Sequence, residues 1–478
     1  MNIELNEHSS DVKDILNRYH INDTFWHFSP KYYDAYIRKI CGDYLYESSA
    51  AFKNSKFSWV KNFFLHSCFI ILGAFVSLMK SFGMSKPHGK INEDARILAC
   101  PFCWRYVWFK RLPHMIKESI RIVYHPLFHY DYYKKNVEAY DRKVVIPEFY
   151  QFTFRDIFYS LFLIIRYYRR LSRCAKELDD IYGIYTGKFS RIFIFPILYG
   201  GFVRRFIEDH IKSNDGLVWL FDYDYDYKYI IFNNLIHELR KNDVTVHIQH
   251  GSFVTYNPAY CNPVCDYSLC CSHREKEVID HFNAFDSKIE ILGAPLQTFD
   301  DVPKDDKSEK QWDVLLLLAA TDGIELEPMK KVLQFFHNST YKCKVRFRPA
   351  SKSTDRLKLC SYLNGMDESE GTTLYEDVSM SKIVVSFSDD ALYTAIRNNN
   401  PIIYLRNIDI RKNYEMTGRS AFFYIINDSE LSSVPVSELI LRYRECNYDS
   451  DSFVLNNFGY FNINEISNRL NSLLSKLL

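Results

Sequence analysis

The chain has 478 residues, 47% of them hydrophobic and 17% aromatic, which is enough apolar surface for two sizeable cores. Its formal net charge of +1 argues neither for nor against nucleic acid, so nucleic acid is not counted among its partners. With only 16 Gly and 15 Pro, long disordered or low-complexity tracts are excluded, and no internal repeat is visible.

The first candidate element is Phe63–Met79, FFLHSCFIILGAFVSLM. It is at the lower limit for crossing a bilayer and contains His66 and Ser67, so a buried or interfacial helix is expected. Strands follow at Arg96–Ala99, Ile120–Tyr124 and Lys143–Ile146. Cys100-Pro-Phe-Cys103 is a lone CxxC in an apolar run and reads as buried thiols rather than a redox pair. The start of the chain shows no basic, apolar, cleavable leader, so the twelve cysteines are expected to be reduced thiols in a cytoplasmic protein. A helix over Arg155–Arg173 mixes bulky apolar residues with Arg166, Arg169, Arg170 and Arg173. That mix suits an anionic membrane surface as well as a core helix with solvent-facing arginines.

Strand Leu217–Phe221 runs into Asp222-Tyr-Asp224-Tyr-Asp226. In extended chain the three carboxylates share one face, where they can hold a hydroxyl with one acting as base, or simply be solvated loop charges. A calcium loop does not fit, since Tyr227 and Asn233 stand where an EF-hand needs glycine and glutamate. Asp226 is a helix N-cap candidate, and Ile231, Leu235 and Leu239 recur at helical spacing before the strand Val244–Ile248. This strand–helix–strand unit delivers His250 to the carboxyl end of a strand, the edge where open α/β sheets bind ligands. Gly251 adds no side chain, so a ligand can approach closely. His250 can take a proton from a hydroxyl, donate to a phosphate, or be structural, while Gln249 is expected on the other side.

A strand over Cys265–Ser272, a helix over Arg274–Asn283 and a strand ending at Gly293-Ala-Pro295 come next. The cluster Cys261, Cys265, Cys270 and Cys271 lacks the paired spacing of a zinc ribbon, so no metal is expected. Thr298–Gln311 is charged and nearly free of apolar residues, and reads as a linker. The pattern then restarts. Strands are expected at Asp313–Leu318, Cys343–Phe347, Ile383–Phe387 and Ile402–Leu405, and helices at Glu327–Phe336, Asp355–Leu363, Glu376–Ser381 and Asp389–Asn398. Regular alternation means a parallel sheet with right-handed crossovers. Ile466, Leu470, Leu473, Leu474 and Leu477 share one face of a last helix. The predicted fold class is α/β, with two Rossmann-like domains facing across a cleft: residues 1–297, residues 312–460, and a C-terminal helix over 461–478.

The segments HIQHG, CDYSLCCS, ILGAP, RFRP and SFSDDALYTAIRNNNPIIY, in this order over roughly Leu217–Leu405, resemble the GT-B architecture. More narrowly, they are similar to bacterial glycosyltransferases of capsule and lipopolysaccharide synthesis and to CDP-glycerol glycerophosphotransferase-like enzymes. The first 200 residues carry no such likeness. An apolar strand ending in Asp-x-Asp is also the metal pattern of GT-A glycosyltransferases, but a second α/β domain after it fits GT-B better.

The resemblance implies a nucleotide-activated sugar donor on the C-terminal domain, a saccharide or lipid-linked acceptor on the N-terminal one, and neither metal nor cofactor. It also implies a cytoplasmic enzyme, peripheral on the inner face of the membrane. The histidine matching His250 is implicated in transfer in the glycerophosphotransferase-like relatives. Ser386 and Ser388 lie where a helix N-terminus can meet a diphosphate, and Arg348 can fork onto a phosphate. Thr321, in Ala319–Gly323, stands in for an absent Gly-rich loop. Two features depart from the family. Arg348-Pro349 replaces a usual His-Pro, and Asp389 and Asp390 would repel a phosphate, which suits them better to sugar or ribose hydroxyls. The alternatives are a nucleotide-sugar 2-epimerase of the same fold and a non-catalytic nucleotide-sugar-binding partner of a synthesis complex.

Overall fold

The computed structural model describes residues 2–49, 59–82, 95–100, 112–124, 145–149, 152–182, 186–211, 216–222, 227–249, 262–293, 310–318, 326–347, 352–387, 391–406, 416 and 418–478. The first half comprises α1 (Asn2–Arg18), α2 (Pro30–Ser49), α3 (Trp59–Ser81), β1 (Ile97–Cys100), β2 (Ile120–Tyr124), β3 (Val145–Phe149), α4 (Phe154–Arg166), α5 (Tyr168–Tyr182) and α6 (Thr186–Ile211). It continues with β4 (Val218–Phe221), α7 (Tyr227–Leu239), β5 (Val244–Ile248), β6 (Tyr267–Cys270), α8 (His273–Phe282) and β7 (Lys288–Ile291). These seven strands form one sheet in the order β3-β2-β1-β4-β5-β6-β7, and every pairing in it is parallel.

A second sheet starts at β8 (Trp312–Leu317). Next come α9 (Leu326–His337), β9 (Cys343–Arg346), α10 (Lys352–Leu359), β10 (Asp367–Glu368), α11 (Leu374–Ser379), β11 (Ser381–Ser386), α12 (Leu392–Arg397), β12 (Ile402–Leu405) and β13 (Phe423–Ile426). The chain ends with α13 (Val436–Leu441), α14 (Ser452–Phe458) and α15 (Ile463–Leu477). The sheet order is β10-β9-β8-β11-β12-β13, again all parallel. Counted from its own first strand, the second sheet runs 3-2-1-4-5-6, the doubly wound Rossmann order, and the first runs the same order with a seventh strand added beside the sixth. The expected α/β class with two Rossmann-like sheets is therefore the fold found.

Each sheet is covered on both faces, which is why its central strands read as continuous apolar runs. In β4, Trp219 and Phe221 pack into the helical layer of α1, α2 and α4–α7, while Val218 and Leu220 point the other way. That other face is closed by the end of the chain: Ile466, Leu470 and Leu474 of α15 cluster with Ile97, Val218, Val246 and Leu269. Ser467 Oγ and Asn471 Nδ2 each donate to the Met115 carbonyl at 2.6 Å, and the Lys117 amide donates to Asn471 Oδ1 at 2.9 Å. The helix expected at 461–478 thus leaves the second sheet and packs on the first. On the way it passes Gly459, whose φ is +81° and whose α-carbon faces the Cys271 carbonyl so closely that a Cβ would lie 1.8 Å from it.

Several boundaries differ from expectation for local reasons. The strand expected at Lys143–Ile146 lies at 145–149 and includes Pro147, which an edge strand tolerates because its N–H side needs no partner. Thr373 caps α11 in a reciprocal box with Glu376, so that helix begins before Glu376 and ends in time for Ser381 to enter β11. The last strand, β13, was not expected.

Candidate functional site

In a doubly wound sheet the crevice for a ligand opens at the carboxyl edge where strand order reverses, because neighbouring loops there turn to opposite faces. In the first sheet that point lies between β1 and β4, and in the second between β8 and β11. The residues singled out from sequence fall at these positions along the chain. Asp222 directly follows β4, and Asp224 comes two residues later. His250 and Gly251 follow β5, the next neighbour of β4, one residue beyond Gln249. Thr321 follows β8, Arg348 follows β9 and Phe347, and Ser386 ends β11 ahead of Ser388, Asp389 and Asp390. Strands β9, β8 and β11 are consecutive in the sheet.

Of these residues, Asp222 and Ser386 are among the described ones, and both are fully buried. His250, Gly251, Asp224, Thr321, Arg348, Ser388, Asp389 and Asp390 lie outside the described residues, as do most of the segment read as a linker and Asp226. Register fixes the edge nonetheless: Phe221 pairs with His247, and Ser386 pairs with Leu317 on one side and Tyr404 on the other.

The approach to His250 is more polar than expected. β5 alternates, with Val246 and Ile248 in the apolar cluster under α15 and Thr245, His247 and Gln249 on the opposite face, all buried. Ser268 Oγ lies 3.0 Å from His247 Nδ1, and the Tyr229 ring sits edge-on to the imidazole. The period-two alternation of VTVHIQ signals this row of buried polar groups under α7.

At the edge of the second sheet, Asp377 of α11 is a polar hub with no exposed surface. It meets Lys344 Nζ at 2.7 Å and Arg346 Nη1 at 2.5 Å, and accepts from Ser369 Oγ at 2.5 Å and Thr372 Oγ1 at 2.7 Å. Burial alone would raise its carboxyl, but these donors more than offset that and hold it below the usual aspartate value. Arg346 thus ends β9 two residues before Arg348, with its guanidinium fixed by a buried carboxylate. No local pattern announces a pairing between residues 31 apart in sequence.

A third polar cluster lies at the opposite, amino edge of the first sheet. The Tyr32 hydroxyl meets His237 Nδ1, and His237 Nε2 lies 3.1 Å from Asp266 Oδ2, which also accepts from the Thr245 amide at 2.8 Å. It ties α2 and α7 to β5 and is away from the edge of the predicted site. A cavity of about 440 Å³ also lies in the helical layer, lined by Trp26, Arg155, Asp156, Tyr159, Arg204 and Arg205 among others. None of the sequence-predicted residues lines it.

Cys100, Cys265, Cys270 and Cys271 are free buried thiols, and burial pushes Cys265 up to about 12. Cys103 and Cys261 lie outside the described residues. Among the described residues, no group of three or more His, Cys, Asp or Glu is arranged to hold a metal ion.

No family model matches the chain, and neither does any curated protein. Solved structures do. The UDP-GlcNAc 2-epimerase of Methanocaldococcus jannaschii is similar at a TM-score of 0.45 and 10% identity, over 80% of this chain and 99% of that one. The lipopolysaccharide outer core galactosyltransferase WaaB is similar at 0.44 and 11%, over 80% and 99%. The pneumococcal O-GlcNAc transferase GtfA, in complex with UDP and GlcNAc, is similar at 0.40 and 12%, over 58% of this chain. The chain matches 60% of the length of GtfA. Likenesses this distant assign neither activity nor ligand, so function has to be read from the chain's own strand order and residues.

Proposed function

We propose that the chain is a GT-B glycosyltransferase that moves a sugar, or a polyol phosphate, from a nucleotide-activated donor to a hydroxyl of a growing surface polysaccharide or lipid-linked acceptor. The observation that carries this reading is the repeated 3-2-1-4-5-6 strand order, which sets acidic and histidine-bearing segments after β4 and β5 and cationic and hydroxyl-bearing segments after β8, β9 and β11. In the proposed reaction the donor diphosphate sits against Ser386, Ser388 and Arg348, with Thr321 beside it and Asp389 and Asp390 toward hydroxyls of ribose or sugar. His250 takes the proton from the attacking acceptor hydroxyl, with Asp224 the alternative base. Asp222, being buried, orients rather than meets solvent. Arg348 steadies the leaving nucleotide as charge develops on it. We propose domain limits of 1–297 and 312–460, with the site between them, in a cytoplasmic, membrane-peripheral enzyme that needs no metal.

The test is product analysis with nucleotide sugars that bind. Nucleotide release that depends on an added saccharide or lipid-linked acceptor supports transfer. Acceptor-independent interconversion of the donor would make the chain an epimerase. Binding without any turnover would make it a non-catalytic partner, the outcome that Arg348 and the Asp389-Asp390 pair favour.

A further inference from the structure

Among the described residues, twelve large hydrophobic side chains are exposed, and ten of them lie on or just after two packed helices. On α3 and its end these are Phe69, Leu72, Val76, Met79 and Phe82, and on α4 they are Phe154, Phe158, Tyr159, Phe162 and Ile165. The first set recurs every three or four residues, and so does the second apart from Tyr159 beside Phe158, so each helix presents one apolar stripe outward. The stripes are joined: Phe154 contacts Phe75 and stacks on Phe82 on one side, and stacks on Phe158 on the other. Phe69 is 66% exposed, Phe158 62% and Ile165 70%, exposures unlike those of a core face. Monomeric soluble proteins do not normally leave so continuous an apolar surface in water.

Charge decides what covers it. The α3 sequence holds no Asp or Glu, and the only acid of α4, Asp156, is turned inward onto Arg205. Arg155 and Arg166 flank the α4 stripe, and Arg169 and Arg173 extend it along α5, all four exposed. Arg166 also lies over the rings of Phe162 and Tyr167. An apolar stripe with aromatic side chains, a cationic flank and no exposed carboxylate on α3 or α4 is complementary to an anionic lipid interface, and the exposed Asp180 lies near the far end of α5, beyond Arg169 and Arg173. Crossing is not the mode, since no helix among the described residues is long and apolar enough to span a membrane.

We infer that α3 and α4 together form a docking face that lies in the plane of an anionic bilayer. The aromatic and aliphatic side chains enter the acyl boundary, and the arginines of α4 and α5 meet lipid phosphates. This deepens the reading of a peripheral enzyme, and it can fail independently because its test reads lipid binding without activity or nucleotide.

The experiment is vesicle flotation of the full chain with phosphatidylcholine vesicles, with and without phosphatidylglycerol. The wild type should float with the anionic vesicles and be partly released by high salt, which screens the arginines. Leu72→Glu with Phe158→Glu should lower partitioning by about tenfold or more at an unchanged melting temperature, because both side chains are outside the core. If that pair does not fold, Leu72→Ala with Phe158→Ala serves, with a smaller loss in the same direction. Absence of wild-type flotation, or equal flotation of the folded variants, overturns the inference. So does a concentration-dependent dimer that the same variants dissolve in place of vesicle binding, which would assign the face to a second copy of the chain.

Discussion

Arg346 and Asp377 form an ion pair of 2.5 Å in which the carboxylate has no exposed surface. Asp377 also holds Lys344. Replacing it with Asn would leave two cations at the edge of the second sheet without their counter-charge. Breaking a buried pair from one side typically costs about 3–5 kcal/mol, so Asp377→Asn should show a sharply lower midpoint in urea unfolding.

The same carboxylate predicts a pH dependence. Its folded value lies below the unfolded 3.8, so its contribution is fully present above that value and is lost as pH falls through the folded one. Wild type and Asp377→Asn should therefore converge in stability under acid. A gap between their unfolding midpoints that stays constant down to strong acid would contradict this.

Gly459 sets how the last segment passes the first sheet. Its φ of +81° with ψ of −157° is a conformation nearly reserved for glycine, and an added Cβ would meet the Cys271 backbone. Gly459→Ala should destabilise by more than about 2 kcal/mol and loosen α15, which hydrogen exchange at Ser467 and Asn471 would detect. Near-wild-type exchange there would show that the segment does not depend on this close approach.

His250→Ala should lower turnover by about 10²–10⁴-fold if the imidazole is the base, with donor affinity nearly unchanged. If the imidazole holds a donor phosphate instead, affinity should fall by roughly 1.5–3 kcal/mol. Steady-state kinetics beside donor titrations separate the two, and wild-type activity in a folded variant would return the role of base to Asp224.

Much of the fold was legible because central parallel strands are buried on both faces and so read as unbroken apolar runs. β12 matches its expected limits for that reason, while β2 and β5 match theirs although Arg121 interrupts the one and Thr245 and His247 alternate with apolar residues in the other. The edges were harder. β3 runs through Pro147, past its expected end at Ile146, and β13 lies at the border of its sheet. α6 escaped notice because Pro196 and the Gly200-Gly201 pair interrupt its pattern, yet its neighbours hold it helical. The candidate site residues were read as positions near the ends of expected strands, and of the described ones Asp222 follows β4 and Ser386 ends β11. The hub at Asp377 was not legible, because it joins β9 to α11 through long-range pairing. Nor was the return of α15 to the first sheet, since an amphipathic helix does not say which sheet it covers.

The central claim is that the carboxyl edge of the second sheet takes a nucleotide-activated donor. Its most direct test is thermal unfolding of wild type and Arg348→Ala against nucleoside diphosphates and their sugar or polyol-phosphate conjugates. A true donor at a hundred times its dissociation constant should stabilise the wild type by about 2.7 kcal/mol. Arg348→Ala should lose most of that through the missing phosphate contact. No stabilisation of the wild type by any such compound, or full stabilisation of Arg348→Ala, would contradict the account.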